Sequence, residues 1–259
     1  MARLPIIELW DDARCFVARE LPLLLPLAFA TFGLGTLIAG YFAPASQPQV
    51  VTAPGAWMLA MLPAGLLMLI GYLAISHIAL RSHASIGEGL HAAIRLLPRA
   101  IALMLLIIAA MTLATMVIGL VTGLLAVTLG LGQHGGVMLM LVAMLPPLLW
   151  ISIRLAVLWP ALADREGPVG DTLRMATAMT RGRAAPIAGL MLASGVIYLV
   201  LAVVIELAGG SVLMLVARLL SMPGLGQLLL SILVAGFNAI YLLFWSVVLT
   251  RLYRALAAG

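Results

Sequence analysis

Residues 101–129 read IALMLLIIAAMTLATMVIGLVTGLLAVTL, a run without one ionisable side chain. A helix rising about 1.5 Å per residue needs about 20 apolar residues to cross roughly 30 Å of hydrocarbon. This run exceeds that length. It also lacks the apolar–polar alternation of a membrane β-strand. It reads as a transmembrane helix, and the same reading extends outward in both directions. Comparable runs occupy 21–42, 56–78, 136–162, 186–207 and 227–249. The runs at 101–129 and 136–162 are longer than a crossing requires, so they are expected to tilt or to project past the interface. The fold class that follows is all-α: a polytopic bundle of six transmembrane helices forming one membrane domain over 1–259.

Composition agrees. Of 259 residues, 64% are apolar and 9% charged, and the mean hydropathy is +1.22. Soluble domains carry roughly 25% charged residues. A soluble enzyme, a disordered chain and a nucleic-acid-binding domain are excluded. Cys15 is the only cysteine, so no intrachain disulfide can form. The first apolar run is longer than the roughly 7–15 residues of a signal-peptide core, and a mixed-charge segment precedes it. It reads as a retained span, although the small residues Ala43, Ala45 and Ser46 keep cleavage open.

The formal charge of +5 comes entirely from arginine, because the chain has no lysine. Twelve of the fourteen arginines fall on one side of the six runs: Arg3, Arg14, Arg19, Arg81, Arg95, Arg99, Arg165, Arg174, Arg181, Arg183, Arg251 and Arg254. The opposite loops hold only Arg218, and Arg154 lies within the fourth run. An arginine excess of this kind marks the cytoplasmic side. Both termini are therefore expected inside.

The chain also carries an internal likeness. Ile86-Gly-Glu-Gly-Leu-His-Ala-Ala93 and Val169-Gly-Asp-Thr-Leu-Arg-Met-Ala176 match in six of eight columns. A fainter copy holds Ile6, Glu8, Trp10 and Ala13 in corresponding places. Each copy precedes two apolar runs. The chain thus reads as three repeats of an amphipathic helix plus a hairpin, at about 1–80, 81–163 and 164–259. Two spans per unit make the repeats parallel, related by an axis along the membrane normal. In the second copy, Ile86, Leu90, Ala93, Ile94 and Leu97 share one helical face, and Glu88, His91, Arg95 and Arg99 the other. Such segments are expected to lie in the interface plane. The acid near each start favours the positive end of the helix dipole, and Ser85 and Pro168 stand where a cap or first-turn residue would.

The stretch from Arg154 through Trp159-Pro160, Asp164-Arg165-Glu166 and Leu173-Arg174 to Met179-Thr180-Arg181-Gly182 resembles the YciC-like family of uncharacterised bacterial inner-membrane proteins. It also resembles the related membrane domain attached to some glycerophosphoryl diester phosphodiesterases. Arg154, Pro160, Glu166, Thr180, Arg181 and Gly182 take the family's positions. Met179 replaces the usual Leu, and Ala176 stands where Ser is common. The tail Arg251–Arg254 fits the same plan. Specific identity covers about 30 residues. The resemblance implies a six-span fold in a bacterial inner membrane. It implies no activity, and no phosphodiesterase domain is present in these residues.

Chemistry-bearing motifs are scarce. No Gly-x-Ser-x-Gly, phosphate-binding glycine loop or His-Glu-x-x-His occurs. His77, His83, His91 and His134 have no metal-ligand spacing, so no metal, no cofactor and no catalytic residue is assigned. Asp11-Asp12 and Asp164 with Glu166 read as solvated loop charges. Arg154, inside a span, reads either as an anion or lipid-phosphate contact or as an arginine snorkelling to the headgroups or pairing with a nearby acid. Glu206 reads as a surface residue near Arg218, or else as a transport carboxylate. Ser194, Tyr198 and Asn238 are its only polar company within the spans, and the sequence places none of them beside it. Pro146-Pro147 should kink or interrupt the fourth helix. Gly119-x-x-x-Gly123 reads as a packing motif, and association of the chain with itself stays open. The methionines read as core or lipid-facing filling. Trp10, Trp57, Trp150, Trp159 and Trp245 fall near span ends, as an aromatic belt would. Ser211–Met222 reads as a short outer interfacial or re-entrant helix.

The leading expectation is a non-enzymatic protein that organises or contacts phospholipid at the cytoplasmic leaflet through Arg95, Arg99, Arg174, Arg181 and Arg183, with Arg154 as a further contact. The rival is a transporter or channel for a small or amphiphilic solute, with a pore near the pseudo-threefold axis. A reporter fused after Arg254 should score as cytoplasmic; a periplasmic score would overturn the orientation.

Overall fold

The six apolar runs form helices that bundle very unequally. The computed structural model describes residues 6–42, 57–81, 84–164 and 167–258. Arg3, Ala43, Ala45, Ser46, His83, Arg165, Glu166 and the Trp57 side chain lie outside the described residues. The described part is helical, with α1 (Ile6–Ala28) and α2 (Leu34–Phe42) joined by a single wide turn, then α3 (Trp57–Leu80), α4 (Ile86–Thr128) and α5 (Gln133–Leu155). After these come α6 (Leu158–Asp164), α7 (Val169–Met179), α8 (Ala184–Val204), α9 (Gly210–Leu219) and α10 (Pro223–Ala257). Six helical stretches are long and apolar enough to cross a membrane: Ile6–Phe42, Met61–Leu80, Ile86–Thr128, His134–Asp164, Ala184–Leu219 and Gly224–Ala257.

The first, second and sixth spans make the core. Half of the most apolar window of the second span is buried, against 6% for the third and fourth. Leu24, Phe32, Leu73, Leu243 and Val247 are fully buried among α1, α3 and α10. The first span swells into a π-turn at Phe29–Gly33, where Thr31 Oγ1 donates to the Leu27 carbonyl at 2.8 Å. That turn follows Pro26, which contributes no backbone donor. It presses Thr31 and Phe32 onto Gly71 of α3. A Cβ on Gly71 would overlap Thr31 Oγ1 and come within 2.9 Å of the Phe32 ring.

The amphipathic segments begin where the repeat places them: α4 starts at Ile86 and α7 at Val169, paired positions of the two copies. Ser85 caps α4 in a reciprocal box. Glu88 N donates to Ser85 Oγ at 3.2 Å, and Ser85 N to Glu88 Oε2 at 2.8 Å. These bonds hold the Glu88 carboxyl below its ordinary range. Only the third segment, however, is a separate helix. The first runs unbroken into its span through Pro22 and Pro26, and the second through Pro98. The expectation of three in-plane helices is corrected accordingly. A proline removes one backbone bond, which a helix packed along its length can absorb.

Two more expectations are displaced. The fourth helix passes through Pro146-Pro147 and breaks instead at Ala156–Val157. Pro160 explains the position, because its ring crowds the carbonyl four residues earlier, at Ala156. There the backbone tightens, with Ala156 N on the Ile153 carbonyl at 3.4 Å. Ser211–Met222 is not a separate outer helix. It continues the fifth span through a π-turn at Ile205–Gly209 into α9, which reverses at Leu220–Met222 and packs along α10.

The helix-packing glycines are not those of Gly119-x-x-x-Gly123. Gly123 has nothing within 4 Å of a built Cβ, and Gly119 meets only Met140 at 3.8 Å. Gly71→Ala should lower stability in detergent by about 1–3 kcal/mol through overpacking. Gly123→Ala should leave it unchanged. Equal unfolding midpoints for the two variants would contradict this packing.

Candidate functional site

Every α-helix ends in backbone carbonyls with no partner in the helix. At the arginine-rich end of this bundle, neighbouring helices supply those partners. Arg154, in the last turn of α5, donates from Nη1 to the Thr177 carbonyl in the last turn of α7, at 3.0 Å. Its guanidinium lies 5.5 Å from the Trp150 ring centroid. Arg254 of α10 donates to the carbonyl of Leu80, the last residue of α3. His77 of α3 lies close to the Ala163 carbonyl near the end of α6. A cation at a helix C-terminus meets both a lone pair and the negative end of the dipole.

Side chains add further ties. Tyr253 donates its hydroxyl to Asp164 Oδ2 at 2.7 Å, joining α10 to α6. Arg251 Nε lies 3.2 Å from Asp12 Oδ2, and its guanidinium carbon lies 4.8 Å from the Phe16 ring centroid. Its N–H is not aligned on the carboxylate, so this contact is electrostatic rather than a straight hydrogen bond. It joins the two terminal helices at one border, as an even number of spans requires.

The motif that carried the family resemblance now has a structural role. Thr180 is fully buried, and its hydroxyl donates to the Ala176 and Thr177 carbonyls at 3.1 and 3.2 Å. Gly182 has φ +80°, a conformation that side chains disfavour. Thr180-Arg181-Gly182 therefore closes α7 and turns the chain into α8. Among the described residues Arg154 pairs with no acid, and Glu166 of the following loop lies outside them. Arg154 braces this turn from below.

The remaining sequence candidates face outward. Arg99, Arg174 and Arg181 are exposed and Arg183 is partly exposed. None of these four side chains makes a hydrogen bond or ion pair with another described residue. Arg95 is exposed but engaged in a contact of its own. Arg19 pairs with Glu20 at 3.0 Å on the surface. The apolar face of α7 (Val169, Leu173, Met175 and Met179) packs on the core, leaving Asp171 and Arg174 exposed. α4, which carries Arg99, and α7, which carries Arg174, are in contact.

Glu206 and Arg218 are both exposed and form no pair with each other. Ser194, Tyr198 and Asn238, which the sequence could not place, form two pairs across α8 and α10, Ser194 with Tyr241 and Tyr198 with Asn238. Sequence reasoning missed Tyr241 and Tyr253, because an isolated tyrosine in an apolar run gives no signal of its partner. Among the described residues, no three His, Cys, Asp or Glu side chains converge. A groove of about 460 Å³ on α4 is walled by Ile107, Met111, Met116 and Gly119. Its two threonines turn their hydroxyls back to carbonyls four residues earlier, so it offers hydrocarbon rather than a polar path. No family model matches the chain, and no curated protein or solved structure matches it either.

Arg154→Met should destabilise the protein by about 1–3 kcal/mol, because it leaves a helix-end carbonyl without its charged donor. Arg174→Gln should not. Unfolding in detergent, followed by circular dichroism, separates the two, and equal stabilities would refute the bracing role.

Proposed function

We propose that this chain is a non-enzymatic, multi-pass protein of a bacterial inner membrane, akin to the YciC-like family, that contacts anionic phospholipid with its cytoplasmic end. The observation supporting this reading is the division of labour among the arginines. Arg154, Arg251 and Arg254 are spent on protein partners. Arg99, Arg174, Arg181 and Arg183 keep their donors for something outside the protein. A guanidinium fork fits a phosphodiester well. Near an anionic surface each such charge contributes roughly 1 kcal/mol.

The rival reading, passage of a small amphiphilic solute, draws on the polar side chains between α8 and α10 and on the sparse packing of the third and fourth spans. A pore on the axis of the bundle is disfavoured, because buried Leu, Phe and Val side chains fill the space among α1, α3 and α10.

Changing Arg99, Arg174, Arg181 and Arg183 together to Gln should remove most of the preference for phosphatidylglycerol over phosphatidylcholine, measured by native mass spectrometry of the protein with bound lipid. The loss should be roughly 1 kcal/mol per arginine. An unchanged lipid preference in a correctly oriented variant would sink the reading.

A further inference from the structure

The face that α4 turns to α5 is packed at its outer end and bare below it. A Cβ on Gly136 of α5 would stand 3.3 Å from Ala126 Cβ, and one on Gly119 of α4 would stand 3.8 Å from Met140 Cε. Thr112, Thr115, Gly119 and Ala126 follow one another at i, i+3, i+7 and i+14, so they share that face. The groove of about 460 Å³ begins at Gly119, where the contact with Met140 ends, and runs down α4 to Ile107. All of its walls are on α4, so α5 stands off over this length. α4 has no buried residue between Leu103 and Thr122. At 1.5 Å per residue the groove is about 18 Å long. That is close to one leaflet of a hydrocarbon slab about 30 Å thick.

The helical register puts Arg154 at the cytoplasmic end of this groove. α4 and α5 form an antiparallel hairpin in which Met140 lies against Gly119. Fourteen residues on from Met140 is Arg154, and fourteen back from Gly119 is Leu105, just below the last wall at Ile107. α5 is unbroken from Gln133 to Leu155. Gly136, Met140, Pro147 and Arg154 recur on it at i, i+4, i+11 and i+18, and eighteen residues are about five helical turns. Arg154 therefore lies on the face of α5 that meets α4.

A guanidinium has five N–H donors. Arg154 gives one to the Thr177 carbonyl at 3.0 Å, and it makes no other hydrogen bond or ion pair with a described residue. The Trp150 ring, 5.5 Å away, is of the kind that marks headgroup depth. A positive charge with unused donors thus sits at the foot of an apolar groove. Its complement is an anion joined to hydrocarbon, in that order. The spans of a second copy would bring no acid to this depth, since Glu206, the one carboxylate within an apolar run, lies near the outer end. We infer that this groove holds one phospholipid of the cytoplasmic leaflet, with its phosphate on Arg154 and one acyl chain along α4 between Ile107 and Gly119. The site rests on the reading that the arginine-rich border meets phospholipid, yet it uses none of Arg99, Arg174, Arg181 and Arg183.

The test is native mass spectrometry of the full, delipidated chain titrated with dipalmitoyl-phosphatidylglycerol. One lipid per chain should bind ahead of the rest. Thr115→Phe places a ring in the groove and removes a hydroxyl that bonds only within its own helix. It should weaken the first lipid about fivefold, whereas Leu113→Phe, on the opposite face of α4, should not. Arg154→Gln keeps an amide donor for the Thr177 carbonyl and loses the charge, and it should weaken the first lipid similarly. Glycerol phosphate, which has the head without the chains, should not compete. The variant with Gln at the four outward arginines should keep its first lipid, so failure of the general headgroup reading and failure of this site are read separately. Unchanged affinity in Thr115→Phe or Arg154→Gln, an equal loss in Leu113→Phe, full competition by glycerol phosphate, or a second protein chain in place of the lipid would each overturn the site.

Discussion

A helix that stops at the edge of hydrocarbon leaves its last carbonyls where lipid cannot satisfy them. The arginine-rich end of this protein answers that constraint with side chains from neighbouring helices. Arg254 takes the end of α3 and Arg154 the end of α7. Each donor belongs to a different element from the end it completes. The helix termini are thus cross-linked as they are satisfied. The extensive burial at this border, from Ile153 to Ala163 and again from Leu249 to Leu256, follows from that arrangement.

Away from that border the demand disappears. Mid-span carbonyls are satisfied within their own helices, and lipid tails compete with Leu and Met for the same contacts. The outlying spans can therefore remain thinly packed, as α4 and α5 do. Where helices do approach in the hydrocarbon, small residues or polar side chains are responsible. Gly71 lets the first span close on α3, and Ser194, Tyr198, Asn238 and Tyr241 tie α8 to α10. The protein is a three-span core with three satellites.

Several features were legible in the residues alone. The Ser85 cap and the starts of α4 and α7 could be read because a capping box and a helix start are local chemistry. The break in the fourth span was misplaced because three prolines compete there, and only the packed chain decides which carbonyl yields. The role of Arg154 was not legible, because its partner is a backbone atom in another helix and carries no residue signature. The pairing of Tyr253 with Asp164 and of Arg251 with Asp12 left no trace in spacing, because the partners lie far apart in the chain.

The sequence by itself determined the solvent of this chain, the number of its crossings and the side on which its arginines collect. Those properties are sums over residues: apolar length against the thickness of hydrocarbon, and charge against the cost of moving it across. Only the tertiary structure decided which arginines hold the protein together and which face outward, and which spans form the core. Hydrogen bonds and close helix crossings depend on separations of a few ångströms between residues far apart in the chain, such as Arg254 and Leu80. A periodicity cannot encode those separations, and the folded arrangement creates them.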